Sequence, residues 1–193
     1  MTSRVGSARR KLLAAAAECF YDRGVNATGI DTITAAAGVA KMSLYNNFSS
    51  KDELVLAYLD ARHQEWLGLY EHRLSGAGTP RGKIAAVFDA YIDHAEQAYR
   101  NGFRGCGLLN AAAELPADAA GRQVVRRHKE QVEALLTEHL RALMSQPEAV
   151  RLAEHLALLL EGATVRAGLE GNSRLLANAR AIALNLVDSA GTA

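Results

Sequence analysis

Six side chains between residues 41 and 47 could share the outer face of a short helix. They offer an ammonium, hydroxyls, amides and a flexible thioether, and none carries a carboxylate: Lys41, Met42, Ser43, Tyr45, Asn46 and Asn47. Leu44 and Phe48, four residues apart, supply the buried stripe of the same helix. Donors without competing acids are what a surface lying against phosphates and base edges needs.

The residues before this face predict a second helix and a tight turn. Ile30, Ile33 and Ala37 recur with helical spacing, and Gly38 follows where a helix end favours a left-handed residue. Ser50 and Glu53 then form a Ser-x-x-Glu capping box for a long helix that starts at Lys51. The pattern is that of a helix-turn-helix and its exit.

This stretch resembles the DNA-binding signature of the TetR/AcrR family of transcriptional regulators. The resemblance covers about the first quarter of the chain, and Thr34 stands where the family usually has alanine. The matching positions are Ala37-Gly38-Val39, Leu44-Tyr45, Phe48 and Lys51-Asp52-Glu53-Leu54.

The resemblance assigns roles on the DNA. It implies that Lys41 and Met42 lie deepest in the major groove. It places Ser43, Asn46 and Asn47 beside them. Thr28, Tyr45 and Lys51 are expected to hold phosphates.

Composition favours an all-α protein. The chain has 193 residues, 49% of them hydrophobic and 22% charged, with only three prolines. We expect an N-terminal three-helix helix-turn-helix DNA-binding domain over residues 1–50 and a C-terminal helical ligand-binding and dimerisation domain over 51–193. Residues 1–51 carry seven basic and three acidic side chains, the charge asymmetry expected of a DNA-reading head.

Several classes of protein are not expected. The N-terminal residues lack a signal-peptide pattern and no apolar run is long enough to span a bilayer, so we expect a cytoplasmic protein without a membrane partner. No nucleophile-base-acid set or phosphate-cradling loop is visible, and Asp60-x-x-His63 lacks a second metal-binding partner. A helical enzyme or metal-bundle protein is the rival, and we predict no catalysis, cofactor or metal.

The remaining helices follow from caps, prolines and apolar spacing. A first helix is predicted from a Ser7 cap to Asp22, with Leu13 and Phe20 on its buried stripe. The later helices are predicted over 51–74, 80–99, 108–115, 116–144, 146–169 and 173–187.

Seven of the eleven aromatic residues lie between positions 58 and 103. Such rings with a few polar groups could wall a small-molecule site, or they could be packed core. Asn110 and Glu114, four apart on an apolar helix, are expected to face inward. The predicted ligand-binding residues are His63, Trp66, Tyr70, Phe88, Tyr91, His94, Asn110 and Glu114.

The last two predicted helices carry more than one apolar stripe. A second stripe needs a second neighbour, either from the same subunit or from a partner in a four-helix bundle across a two-fold axis. The predicted dimer-interface residues are Leu152, Leu156, Leu159, Ala163, Leu175, Ile182 and Leu186.

Together with these features, the resemblance implies a homodimeric repressor that binds double-stranded DNA at a palindromic operator and is released by a small-molecule effector. An alternative keeps the fold without an effector, as a constitutive regulator or as a redox sensor acting through Cys106.

Overall fold

The computed structural model describes residues 4–97 and 99–190, and the regular secondary structure within these ranges is entirely α-helical. The predicted all-α class is therefore confirmed. The chain divides into two compact units: unit 1 contains Met1–His63 and Gly107–Val125, and unit 2 contains Gln64–Cys106 and Arg126–Ala193. The assignment of DNA binding to residues 1–50 and of effector binding and dimerisation to 51–193 stays a prediction.

Within the described ranges the helices follow one another with short connections. They are α1 (Arg4–Arg23), α2 (Ile30–Ala37), α3 (Lys41–Tyr45), α4 (Lys51–Ser75), α5 (Pro80–Glu96), α6 (Gly107–Glu114), α7 (Ala120–Leu140), α8 (Gln146–Glu170) and α9 (Arg174–Ala190). None of these helices combines the length and apolarity that crossing a membrane would require.

Two predicted helix starts are wrong. Ser7 lies inside α1, which already begins at Arg4, so it is not the N-cap. Helix α7 begins at Ala120 instead of Pro116, because the intervening residues form a turn in which the Ala119 amide donates to the Pro116 carbonyl. Both errors arise because side-chain caps and prolines permit a helix start without requiring one.

The core of unit 1 is built from residues at helical spacing. On α1 the fully buried positions are Leu12 and Ala16, followed by Phe20, and Leu13 of the predicted stripe is only half-buried. Phe20 packs edge to face against Tyr58 of α4, with 5.4 Å between ring centroids. Ile33, Leu44, Phe48 and Leu54 complete this core.

The turn between α2 and α3 has the predicted geometry. Gly38 adopts a left-handed conformation (φ 64°, ψ 38°), and its amide donates to the Ala35 carbonyl at 3.2 Å. Val39 donates to the Thr34 carbonyl at 3.1 Å. The buried Thr34 hydroxyl donates to the Ile30 carbonyl of its own helix at 3.2 Å, so the departure from alanine leaves this hydroxyl with a hydrogen bond.

Unit 2 is centred on α5, whose residues Ile84 to Phe88 are all buried. Against it packs one face of α8, including Leu156 and Leu160, and one face of α9, including Leu176 and Ala183. The side chains of the aromatic cluster described below lie on α4, α5 and α7.

Candidate functional site

The short helix α3 presents two chemically different faces. Leu44 is fully buried in unit 1, whereas Met42 is 69% and Tyr45 48% exposed. Lys41 and Asn46 are also exposed, and Ser43 is half-buried. The polar face predicted for α3 (Lys41, Met42, Ser43, Tyr45, Asn46 and Asn47), the reading face, therefore lies at the surface. The buried Leu44 anchors the helix that carries it.

Arg9 of α1 braces the end of α3, a contact that the sequence did not reveal. Its guanidinium lies 4.2 Å from the centroid of the Phe48 ring, and its Nη1 donates to the Asn47 carbonyl at 3.1 Å. A cation that lies over an aromatic face and also bonds a backbone carbonyl just after a helix holds that segment in place. Arg9 is thus a support for the reading face.

Two of the residues predicted to contact DNA form side-chain hydrogen bonds within unit 1. Thr28 is fully buried, and its hydroxyl donates to the carbonyls of Gly24 at 2.7 Å and Cys19 at 3.1 Å. The expectation that the Thr28 side chain holds a phosphate is wrong, because this hydroxyl closes the end of α1. Asn47 is half-buried, and its Nδ2 donates to the Ser43 carbonyl at 2.7 Å.

The start of α4 has a modified capping arrangement. The Glu53 amide donates to the Ser50 hydroxyl at 3.1 Å, as predicted. The Glu53 carboxylate, however, accepts from the Ser49 hydroxyl and amide instead of the Ser50 amide, and these bonds lower the pKa of Glu53. Lys51, the predicted phosphate ligand, is half-buried at this helix start.

Glu114 belongs to unit 1 and clamps the loop between α1 and α2. Its two carboxylate oxygens accept from the amides of Val25 at 3.1 Å and Asn26 at 2.7 Å, and the Asn26 side chain donates to the Glu114 carbonyl. Gly24 has φ 91°, and a β-carbon there would overlap Glu114 Oε1. Glu114 therefore bonds backbone amides instead of facing an open site, and Asn110, which is exposed, does not face inward as predicted.

Removing the charge of Glu114 is expected to loosen this loop. In Glu114→Gln one accepting oxygen becomes an amide donor facing a backbone N–H, so unit 1 should lose about 1–3 kcal/mol of stability. Amide hydrogen exchange at Val25 and Asn26 should become faster than in Glu18→Gln, a control at an exposed position of α1. Unchanged exchange at both amides would contradict the clamp.

Unit 2 contains an aromatic cluster formed by Trp66, Tyr70, Tyr91, His128 and His139. Trp66 stacks on Tyr70 with centroids 5.5 Å apart, and it lies 5.4 Å from Tyr91 and 5.3 Å from His128. Tyr70 Oη lies 2.6 Å from His139 Nε2. Burial raises the pKa of Tyr70 to about 12 and lowers that of His139.

The edge of this cluster carries two charged groups that the sequence did not single out, and the Cys106 thiol, which it did. Lys129 Nζ lies 2.7 Å from Glu161 Oε1, 3.3 Å from Tyr91 Oη and 3.7 Å from Cys106 Sγ. Burial alone would lower the pKa of Lys129, but the three neighbouring groups raise it above its usual range. Burial also raises the pKa of Tyr91. His128 lies three residues after the buried Val125, and this helical spacing could have predicted from the sequence that His128 is also buried.

The other predicted ligand-binding residues are placed separately. Phe88 is fully buried in the core of unit 2. His94 is buried beside Tyr99, whose hydroxyl lies 3.0 Å from His94 Nε2, and beside the ring of Phe103. His63, like Asn110 and Glu114, belongs to unit 1. Trp66, Tyr70 and Tyr91 are the predicted residues that the structure brings together.

The predicted dimer interface requires a correction. Leu156 is 0% exposed and packs in the core of its own subunit, so it cannot contact a partner. Leu152, Leu159 and Ala163 are partly buried against the same core, and Leu175 is half-buried.

The outward side of α8 and α9 is nevertheless apolar. We define this apolar face by five exposed side chains, of which Ile182 and Leu186 were predicted and the others were missed: Leu158, Val165, Leu169, Ile182 and Leu186. Because α8 has apolar residues on opposite sides, its sequence pattern could not distinguish the core side from the outer side.

Comparison with known proteins finds a family match within unit 1. The sequence profile of the family described as bacterial regulatory proteins, tetR family, matches residues 12–58. The HTH-type transcriptional activator FasR of Mycolicibacterium smegmatis is 40% identical over 95 residues, which cover 48% of this chain and 43% of FasR. The HTH-type transcriptional repressor KstR2 of the same species is 36% identical over 98 residues, which cover 50% of this chain and 47% of KstR2. The chain thus spans about half the length of the curated relatives it matches.

The similarity of folds extends over nearly the whole chain. The crystal structure of SCO4454, a TetR-family transcriptional regulator from Streptomyces coelicolor, superposes with a TM-score of 0.86 at 29% sequence identity. The superposition covers 96% of each chain. The matched residues 12–58 lie in unit 1. Residues 12–58 thus match the tetR family of bacterial regulatory proteins, and the chain shares its fold with a TetR-family transcriptional regulator.

Proposed function

We propose that the protein is a sequence-specific DNA-binding transcriptional regulator that represses from a palindromic operator and is released by a small molecule. The main observation that supports DNA binding is the exposed face of α3. There Lys41, Met42 and Tyr45 lie on a helix that Leu44 anchors. The relatives support the regulatory role, since FasR is described as an activator and KstR2 as a repressor.

Lys41 and Lys51 are proposed to perform different tasks on the DNA. Lys41→Gln should weaken binding to an operator selected from a random DNA pool by about tenfold, with a smaller effect on random sequence. Lys51→Gln should weaken both DNAs alike and reduce the slope of log affinity against log salt by about one. Fluorescence-anisotropy titrations at several salt concentrations measure both effects. Equal losses on operator and random DNA for both variants would refute the assignment.

The apolar face supports a homodimer. Leu158, Val165 and Leu169 are exposed along α8, and Ile182 and Leu186 are exposed on α9, which packs against α8. Exposed apolar patches of this kind mark association surfaces. A two-fold dimer would present two α3 helices to half-sites about 34–36 Å apart, or a multiple of that distance.

The aromatic cluster is the proposed effector site. Trp66 is 3% exposed, and its Nε1 has no hydrogen-bond partner among the described residues. A buried indole N–H beside Tyr91 is a donor that a ligand acceptor could satisfy. An effector that binds the cluster better in one conformation of the protein would shift the equilibrium between conformations and so the affinity for DNA.

A further inference from the structure

The proposed reading face has a carboxylate beside it, contributed by the neighbouring helix. Asp31 lies in the first turn of α2, and its Oδ1 is 2.8 Å from the Nζ of Lys41, the first residue of α3. The hydrogen bond to Asp31, together with its negative charge, raises the pKa of Lys41. The sequence pattern of α3 alone gave no sign of this acid.

Stability does not explain the pair. The two side chains are 55% and 79% exposed, and ion pairs at such positions contribute little because water and salt screen them. The crossing of α2 and α3 is already fixed by the Gly38 turn and by the buried Ile33 and Leu44. Because folding does not depend on the pair, the pair is free to act in the DNA-bound state.

The number of hydrogen-bond donors on Lys41 indicates a role for the pair in that state. An ammonium group has three N–H donors, and one hydrogen bond to Asp31 leaves two. Guanine presents two adjacent acceptors, O6 and N7, in the major groove. A phosphate would also attract the ammonium, but the Asp31 carboxylate beside it repels the phosphate.

We propose that Asp31 is a specificity-determining residue that positions the Lys41 ammonium for the O6 and N7 of an operator guanine and opposes its binding to phosphate at other sequences. This inference rests on the proposed DNA-binding function. Asp31 acts through Lys41 and is a positioning residue. At a cognate site the carboxylate keeps its bond to Lys41, and at a non-cognate site it weakens the contact with the backbone.

Asp31→Asn, which removes the charge and keeps the shape, tests the proposal. Affinity for random duplex DNA should rise about three- to tenfold, with a salt slope steeper by about one, because Lys41 is free to neutralise one more phosphate. Affinity for the selected operator should stay unchanged or fall. The ratio of operator to random affinity should therefore decrease at least about threefold.

The matched control is Asp118→Asn, which removes an exposed carboxylate from the loop between α6 and α7 of the same unit. It makes the same change in net charge without touching Lys41, so it should alter both affinities by the same factor. In a Lys41→Gln background, Asp31→Asn should produce no further loss of specificity, since the two residues act as one. Circular-dichroism melting checks that each variant is folded.

The outcomes separate this proposal from the one it rests on. If Asp31→Asn and Asp118→Asn change both affinities equally, Asp31 has no role in specificity, and DNA recognition by α3 stands. If wild-type protein binds operator and random DNA equally, both proposals fail.

Replacing each operator guanine in turn by 7-deazaguanine should reveal one position where wild type loses affinity and Lys41→Gln does not. The absence of such a position overturns the guanine assignment.

Discussion

Replacing Gly168 with alanine is expected to destabilise unit 2 by about 2–3 kcal/mol, because the added methyl group meets backbone atoms that cannot rotate away. A β-carbon at position 168 of α8 would lie 2.5 Å from the amide nitrogen of Gly105 and 2.6 Å from its Cα. The loop before Cys106 would have to move away from α8, and with it the thiol that lies beside Lys129. Thermal unfolding followed by circular dichroism should show a midpoint lower by about 4–12 °C.

Gly68→Ala provides the matched control for this result. Gly68 also lies within a helix of unit 2, is exposed, and has no atom within 4 Å of an added β-carbon. Alanine there should raise the stability by up to about 1 kcal/mol, because it forms helix more readily than glycine. Equal effects of the two substitutions would show that the contact between Gly168 and Gly105 does not constrain the fold.

Placing two charges on the apolar face is expected to produce monomers with much weaker operator binding. The variant Leu158→Glu with Val165→Glu changes side chains that are 67% and 53% exposed in the single subunit, so its fold should persist. In a dimer interface the two carboxylates would be buried without partners, which is costly. Loss of simultaneous binding to two half-sites should lower the operator affinity by about 10²–10⁴-fold.

Analytical ultracentrifugation and operator titration test this expectation together. Leu143→Glu, at a 38% exposed leucine outside the apolar face, is the control and should remain dimeric. Leu156→Ala is a second comparison, because it removes part of the subunit core and should cost about 2–5 kcal/mol of folding stability. A double variant that sediments as a dimer would exclude this face as the interface.

The helix-turn-helix of α2 and α3 could be predicted from the sequence because its signals are local. Gly38 is left-handed, as a helix end followed at once by another helix requires, and Leu44 and Phe48 are buried at the predicted spacing. Each signal depends on residues within about one turn of one another, where the backbone geometry leaves few alternatives. Helical class and the exposure of Lys41 and Met42 follow from the same short-range rules.

Side-chain partners distant in the chain could not be predicted in this way. Glu114 bonds the amides of Val25 and Asn26, 89 and 88 residues away, and the apolar spacing of α6 says only that it is a helix. Periodicity assigns residues to a face of a helix but does not say what that face meets.

The sequence by itself therefore determined the helical class, the turn at Gly38 and the polar face of α3, since local backbone geometry specifies them. Only the tertiary structure decided which side of α8 is core, with Leu156 inside and Leu158 outside. It also brought the Asp31 carboxylate to Lys41, because that contact depends on how α2 and α3 cross after the turn. The reading face is thus specified locally, and the acid beside its first residue comes from packing.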